Sequence, residues 1–396
     1  MAGKLAINGR GGTSNDVAWP LRPCGLKTTR HDSPITRTAG AAMLPDSLQF
    51  YGIPRLRRQT PCNGGRRPVG CFTDCRPLPP PPSSPPMSAP PRTAVVTGAS
   101  SGIGRATVAA LVAEGFHVLA GVRRDDDAAA LLHEFGQRVT PLQLDVTDAE
   151  QVAEAVRIVH RHAPHGLSAL VNNAGVGAPA PMELTEVDEI RHLMEVNAIG
   201  PMRLIQALLP ALRRGGGRIV NLSSMNGVLS LPMTGAYSAS KFALEAMSDA
   251  LRVELMAWRV PVIVIRPGQV RTPIFNKARA DIERRQADMP AALAAGYKLP
   301  FARTAKFNER GEKSPTPPET VARVIVKALT ARRPRRNYYI GWDALGMRLL
   351  RSLMPARSRD RLLARAIGTR RRLTEQPVEA PAQSPAASAS GASIGP

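Results

Sequence analysis

From Thr93 to about residue 343 the chain alternates between two hydrophobic patterns. Short apolar runs of strand length recur as "TAVVTG", "FHVLAGV", "VTPLQLDV", "SALVNNAG", "GRIVNLSS" and "VPVIVIRPG". Between them, "IGRATVAALVAEG" and "AEQVAEAVRIVHRHA" place apolar residues three and four apart, the spacing of one helix face. The strand-like runs are nearly continuous in apolar residues rather than alternating, as strands covered on both faces should be. Strand and helix repeated in this order predict a single α/β domain over residues 93–343, a doubly wound parallel sheet with helices on both sides. No tandem repeat is visible.

The flanks read differently. Residues 1–92 show no sustained period and run into "RPLPPPPSSPPMSAPPRT" (76–93), whose prolines cannot donate to helix or sheet. They predict a disordered extension, and the ordered pattern begins so soon after Met87 that this methionine is a candidate start of the chain. Residues 344–373 mix Leu and Met with many arginines around Pro355, a basic amphipathic helical segment. Two readings stay open for it: contact with an anionic membrane surface, or packing on the domain with a solvated basic face. Residues 374–396, rich in Ala, Ser, Pro and Gly, predict a disordered tail.

Charge sharpens this division. The net charge is +22, of which residues 1–92 carry +9, residues 93–343 +7 and residues 344–396 +6. The excess sits in the ends and bears on solubility and anionic surfaces rather than on the fold. No nucleic-acid reader motif accompanies it, so no nucleic-acid partner is expected. All four cysteines, Cys24, Cys62, Cys71 and Cys75, precede the patterned region, which excludes a cysteine nucleophile or disulfide framework there. Their spacing fits no standard zinc pattern and the nearest histidine is His31, so no metal is expected. With neither a long uncharged apolar run nor an apolar leader, the expected location is cytoplasmic, with peripheral membrane association through the basic segment as the open alternative.

Chemistry concentrates in a few stretches. "TGASSGIG" (97–104) lies between the first strand and a helix. Gly98 permits a tight turn, Gly102 lets backbone approach a phosphate, and Gly104 lets the helix pack on the sheet; a pyrophosphate would sit at the helix N-terminus. "YSASK" (237–241) puts Tyr237 and Lys241 four residues apart, hence on one helix face. A free tyrosine has a pKa of about 10, a nearby cation lowers it, and proton transfer works best near the working pH. Lys241 is therefore expected to tune Tyr237 downward.

The glycine spacing (Gly98, three residues, Gly102, one residue, Gly104) resembles that of the classical short-chain dehydrogenase/reductase family, and the run "SLPMTGAYSASKFALEAMSDALRVEL" resembles its retinol- and steroid-type members. The further motifs of that family follow in register: "DV" (Asp145, Val146), "NNAG" (172–175), "VNAIG" with Asn197, Ser224 thirteen residues before Tyr237, and "RPGQVRT" (266–272). The resemblance is strong over residues 93–275 and weaker to about 340. It implies a Rossmann-type fold and an alcohol–carbonyl oxidoreductase in which Tyr237 is the acid/base, Lys241 also binds the nicotinamide ribose, Ser224 holds the substrate oxygen, and Asn197 completes a water-linked proton relay. It implies cofactor contacts from Gly98, Ser100, Ser101, Gly102, Ile103 and Gly104, from Asp145 and Val146 at the adenine, and from Asn173, Ala174 and Gly175. Pro267, Gly268, Val270 and Thr272 would position the nicotinamide.

An acid at the end of the second strand would bind the adenosine ribose and repel a 2′-phosphate. In "HVLAGVRRDDD" that position is Val122, followed by Arg123, which favours NADP (NADPH) with Arg123 on the phosphate. NAD stays the alternative, because Asp125 is close and Ser101 stands where NADP-preferring relatives place a basic residue. The long segment after Thr272, about 273–318, is expected to form a substrate lid suited to a lipophilic alcohol or carbonyl compound, with Met225, Leu231, Met233 and Phe275 as wall candidates. The helix from Ala236 to Trp258 is expected to mediate a homodimer or homotetramer. The competing readings are a non-catalytic dinucleotide-binding redox sensor and a scaffold acting through its basic ends.

Overall fold

The computed structural model describes residues 92–369. The expectations for the two extensions, for the four cysteines, for Met87 and for the last residues of the basic segment lie outside the described residues. Seven parallel strands form one sheet: β1 (Thr93–Val96), β2 (His117–Val122), β3 (Val139–Gln143), β4 (Ala169–Asn172), β5 (Arg218–Leu222), β6 (Val262–Pro267) and β7 (Asn337–Ile340). Their order is β3-β2-β1-β4-β5-β6-β7, so the chain winds outward from β1 in one direction and then from β4 in the other. The Rossmann-type doubly wound sheet expected from the pattern is present. β7 was not foreseen; as a half-exposed edge strand, "NYYI" has no continuous apolar run to betray it. Pro141 sits in β3, the other edge, where a missing N–H costs no ladder bond.

The strands alternate their side chains between two cores. Ala94, Val96, Val118, Ala120, Val171, Leu222 and Ile265 face α1 (Gly102–Ala113), α2 (Asp125–Phe135) and α9 (Pro318–Thr330) through Val108, Leu111, Leu131, Val321 and Ile325. Val95, Leu119, Leu142, Leu170 and Ile219 face α3 (Ala149–His162), α5 (Gly200–Arg214) and α6 (Gly235–Glu254) through Val159, Leu204, Leu208, Leu212 and Leu251. Between β4 and α5 lie α4 (Val187–Met194) and a π-helical turn, Glu195–Ile199.

The predicted lid resolves into two helices, α7 (Ile274–Ala287) and α8 (Ala291–Glu312). The basic segment is likewise two helices, α10 (Trp342–Leu353) and α11 (Ala356–Ile367), divided at Pro355 as expected. The boundary expected at residue 343 falls inside α10, because Asp343 is tied into the domain: its carboxylate accepts from Gln269 N at 2.5 Å. The basic segment packs on the domain. Arg351 of α10 donates to the Val228 carbonyl, and Arg303 of α8 donates to the Ala366 carbonyl of α11 at 2.9 Å.

One polar thread crosses the second core. Asn172 Nδ2 donates to Asn221 Oδ1 (2.8 Å), Asn221 Nδ2 donates to Ser248 Oγ (2.9 Å), and Ser248 donates to the Leu244 carbonyl. It joins the ends of β4 and β5 to α6 through three buried side chains. Asn221→Ala strands the Asn172 amide and is expected to cost about 1–3 kcal/mol. Urea unfolding with an unchanged m-value would read that loss; an unaltered midpoint would contradict the role given to the thread.

Candidate active site

Doubly wound sheets open a crevice where the strand order reverses, outside the carboxyl ends of the strands. Here that point lies between β1 and β4, and a cleft of about 370 Å³ occupies it. Loops from six strand ends supply its wall.

The turn after β1 is the tightest element. Gly98 and Gly102 have φ of 63° and 53°, in the left-handed region that glycine enters at no steric cost. Gly104 packs so closely that a side-chain carbon there would stand 2.0 Å from the Gly98 carbonyl oxygen. The loop after β4 is stitched to this turn: Thr97 Oγ1 accepts from Asn173 N (3.0 Å) and Ala174 N (2.9 Å), and Asn173 Nδ2 donates to the Thr97 and Gly98 carbonyls at 2.9 and 3.1 Å. No side chain caps the N-terminus of α1, so its first-turn N–H groups remain available to an anion. The turn thus fits a dinucleotide pyrophosphate.

Beside the ends of β2 and β3, Val122 closes β2 and Arg123 follows it into the cleft wall, while Asp125 enters the first turn of α2 and is not part of that wall. Arg123 is largely exposed, its guanidinium 3.8 Å from the Asp145 carboxylate. Burial works to raise the Asp145 pKa, but hydrogen bonds from Thr147 N and Oγ1, together with the Arg123 charge, hold it below its ordinary value.

At the opposite end, α6 carries Tyr237 and Lys241 into the cleft and the turn Met225–Gly227 carries Ser224. Ser224 Oγ accepts from Asn226 N at 3.1 Å, which leaves its O–H as the group it can offer to a ligand. Lys241 Nζ donates to the Leu222 carbonyl at 2.9 Å and stands 5.9 Å from the Tyr237 ring centroid. Burial lowers the Lys241 pKa from 10.5 to about 8, with Glu245 acting against it. Burial also raises the Tyr237 pKa above 10, with the Ser224 hydroxyl acting the other way. The downward tuning expected of Lys241 is therefore not what governs the phenol here: burial raises it, the opposing group is the Ser224 hydroxyl, and the ammonium is turned toward a carbonyl.

Every residue expected at the site lines this cleft (Gly98, Ser100 to Gly104, Arg123, Asp145, Val146, Asn173 to Gly175, Ser224, Tyr237, Lys241, Pro267, Gly268, Val270 and Thr272) except Asn197. Asn197 lies fully buried behind the wall, on the π turn. Its amide nitrogen donates to the Val176 carbonyl (2.9 Å) and Ser240 Oγ (3.0 Å), and its oxygen accepts from Val176 N (2.9 Å). Of the four wall candidates, Met225 and Phe275 line the cleft and Leu231 and Met233 do not; Met233 packs with Ile282 of α7 and Phe301 of α8. Sequence reasoning missed Val176 to Pro179, Asn226, Thr234, Ile274, Lys277, Phe307 and Asn308, all in the wall. The first four directly follow "NNAG", and that adjacency was the available signal; Phe307 and Asn308 come from α8 and carry none. Among the described residues no cluster of metal-ligating side chains occurs, and no helix is long and apolar enough to cross a membrane.

The sequence model described as "short chain dehydrogenase" matches residues 92–283. The chain is 35% identical over 277 residues to the NADPH-dependent 3-dehydrocapnine reductase of Ornithobacterium rhinotracheale, covering 68% of this chain and 95% of that protein. It is 36% identical over 275 residues to human (Homo sapiens) retinol dehydrogenase 5, covering 68% and 86%. A solved short chain dehydrogenase of Burkholderia cenocepacia J2315 in complex with NADP matches with a TM-score of 0.53 at 28% identity, over 70% of this chain and 97% of that one.

The Lys241 shift fixes a pH trend. Between about 8 and 10.5 the unfolded chain holds a proton there that the folded chain has lost, so stability at this position is lowest below 8 and rises with pH across that window. The Tm of the wild type minus that of Lys241→Met should therefore increase from pH 8 to 10.5. A difference constant with pH would show that the ammonium is not desolvated.

Proposed function

The chain belongs to the short-chain dehydrogenase/reductase family of NAD(P)-dependent oxidoreductases, and on that premise we propose that it interconverts an alcohol and a ketone or aldehyde on a small lipophilic substrate. The observation that carries this reading is one cleft at the switch point with a phosphate-accepting turn at one end and Tyr237, Lys241 and Ser224 at the other. The bound nicotinamide would supply or accept the hydride. The residues do the rest. Ser224 turns its O–H from Tyr237 to the substrate oxygen, where negative charge develops. Tyr237 gives or takes the proton on that same oxygen. Lys241 supplies positive charge beside the phenol and the ribose. Asn197 anchors Val176 and Ser240 from behind; its amide oxygen and Lys241 Nζ both face the space left open at Gly175, 3.1 and 3.4 Å from where a side-chain carbon would begin, which supports the relay expected of it.

The lipophilic substrate class is supported by Met225, Ala178, Pro179, Ile274, Phe275 and Phe307 around that end of the cleft. It is also supported by the retinol named for one relative. Preference for NADP(H) is supported by Arg123 in the wall, by Val122 at the acidic position, and by the NADPH dependence named for another relative. Two partner proposals accompany it: self-association through the end of α6 and the 3-10 turn Leu255–Trp258 that follows it, where Val253, Met256 and Trp258 are exposed, and peripheral membrane contact through α10 and α11, with Trp342 89% and Leu353 77% exposed at the two ends of α10.

Tyr237→Phe is expected to lower kcat by about 10²–10⁴ while leaving NADPH binding intact, read from reduced-nicotinamide absorbance over a panel of retinoids, steroids, fatty aldehydes and small ketones. Turnover at the wild-type rate would sink the assignment. Arg123→Ser should raise the KM for NADPH by about tenfold or more and leave that for NADH nearly unchanged. Equal effects on both cofactors would remove Arg123 from 2′-phosphate recognition.

A further inference from the structure

Glu245 follows Lys241 by one helical turn on α6 and is only 7% exposed, a rare place for a carboxylate. Its two oxygens accept a bidentate pair from Arg266 of β6, Nε to Oε1 at 2.8 Å and Nη2 to Oε2 at 2.7 Å. Arg266, 9% exposed, spends its remaining nitrogen on the Tyr339 hydroxyl of β7 and lies 5.0 Å from the centre of that ring. The same carboxylate sits beneath the Ser224 turn, where a side-chain carbon on Gly227 would meet Glu245 Cγ at 3.2 Å and Oε1 at 3.3 Å. Three segments that build the cleft therefore meet at one ion pair: α6 with Tyr237 and Lys241, the turn with Ser224, and the end of β6 with Pro267 and Gly268. Neither partner of the pair lies in the cleft wall.

Buried ion pairs add little net stability over apolar residues of the same shape, so stability alone does not account for this one. The groups facing Lys241 are few. Its own helix contributes Tyr237 and Glu245. β5 contributes the Leu222 carbonyl. β6 contributes Arg266, whose charge is spent on Glu245. The loop after β4 contributes backbone at Gly175, and the π turn the neutral amide of Asn197. Glu245 is the one carboxylate in that set.

We propose that the Glu245–Arg266 pair is a positioning device for Lys241: Glu245 supplies the counter-charge that keeps Lys241 an ammonium, and Arg266 clamps the carboxylate so that it does not draw the ammonium off the Leu222 carbonyl. This rests on the role given to Lys241 above and adds the group that sets its charge. Burial already works against that charge, bringing the lysine from 10.5 to about 8, and Glu245 is what opposes burial. Without the carboxylate the lysine is neutral at a lower pH still.

The test is NADPH and NADH titration of the full chain by fluorescence from pH 6 to 10, comparing wild type, Glu245→Gln, and the double variant Glu245→Gln/Arg266→Met, which leaves no unpaired buried charge. Wild type should lose affinity as pH rises through about 8. Both variants should lose it at lower pH, with affinity at pH 8 down roughly fivefold and little change at pH 6. Adding Lys241→Arg to Glu245→Gln should flatten the profile, because a guanidinium does not titrate in this range. A natively folded double variant with the wild-type profile overturns the proposal. So does failure of both variants to fold, which would make the pair a requirement of the fold rather than of Lys241. Wild type that binds neither cofactor at any pH would instead sink the oxidoreductase reading on which the proposal stands.

Discussion

A parallel sheet buried on both faces leaves its strands no side chain to spare for chemistry. Residues along β1, β4 and β5 go alternately into one core or the other, so functional groups can only leave from the strand ends. The winding of this chain fixes which ends meet. Because β1 lies between β2 and β4, the loops after β1 and β4 diverge from a common seam, and the crevice forms there. The seam must also be narrow enough to hold a ligand against backbone. Gly104 on the Gly98 carbonyl and Thr97 bonded to Asn173 and Ala174 make it so. A side chain at residue 104 would part the two loops that the rest of the cleft is hung on.

That enclosure has an electrostatic consequence. Excluding water disfavours charge on any group brought inside, and the two titratable side chains at the cleft's inner end respond in opposite directions: the phenol of Tyr237 is harder to ionise and the ammonium of Lys241 easier to neutralise. Left to burial, the lysine gives up its proton before the tyrosine does. Among the described residues, the carboxylate that opposes this at Lys241 is that of Glu245, one turn along the same helix, and it is itself held by Arg266. The chain of charges runs from the cleft through α6 to β6 and ends on Tyr339 at the sheet edge.

Much of this was legible in the sequence because it is local. Six strands announced themselves as apolar runs, and every expected catalytic and cofactor-contacting residue but Asn197 lines the cleft, most of them set by their distance from a strand end. What was not legible is what depends on contacts between distant segments. The spacing of Tyr237 and Lys241 gives neighbours on a helix, but not that the ammonium would turn to Leu222. Asn197 has its role set by Val176, twenty-one residues earlier. Met233 sits close before Tyr237 and was a natural wall candidate. Its backbone adopts a φ of 66°, and its side chain packs with Ile282 of α7 and Phe301 of α8 instead. The wall residues of α8 belong to a segment whose helical pattern is too polar to stand out.

The basic C-terminal segment can be argued in the same terms. Its arginines read in sequence as surplus charge, yet the structure gives part of that charge a local use. Arg351 of α10 donates to the Val228 carbonyl beside the Ser224 turn and lies 5.1 Å from the centre of the Phe242 ring on α6. Arg303 of α8 donates to the carbonyls of Arg365 and Ala366 at the C-terminus of α11, where a cation also meets the negative end of the helix dipole. α7 is held by Arg285 on Glu189 of α4, and against α8 by Phe275 seated where Gly311 has no side chain. α10 thus braces the Ser224 turn and α6, and α11 braces α8. A segment that would otherwise look like an appendage is tied to the elements that carry Ser224 and Phe307, while its exposed Trp342 and Leu353 both stand on α10.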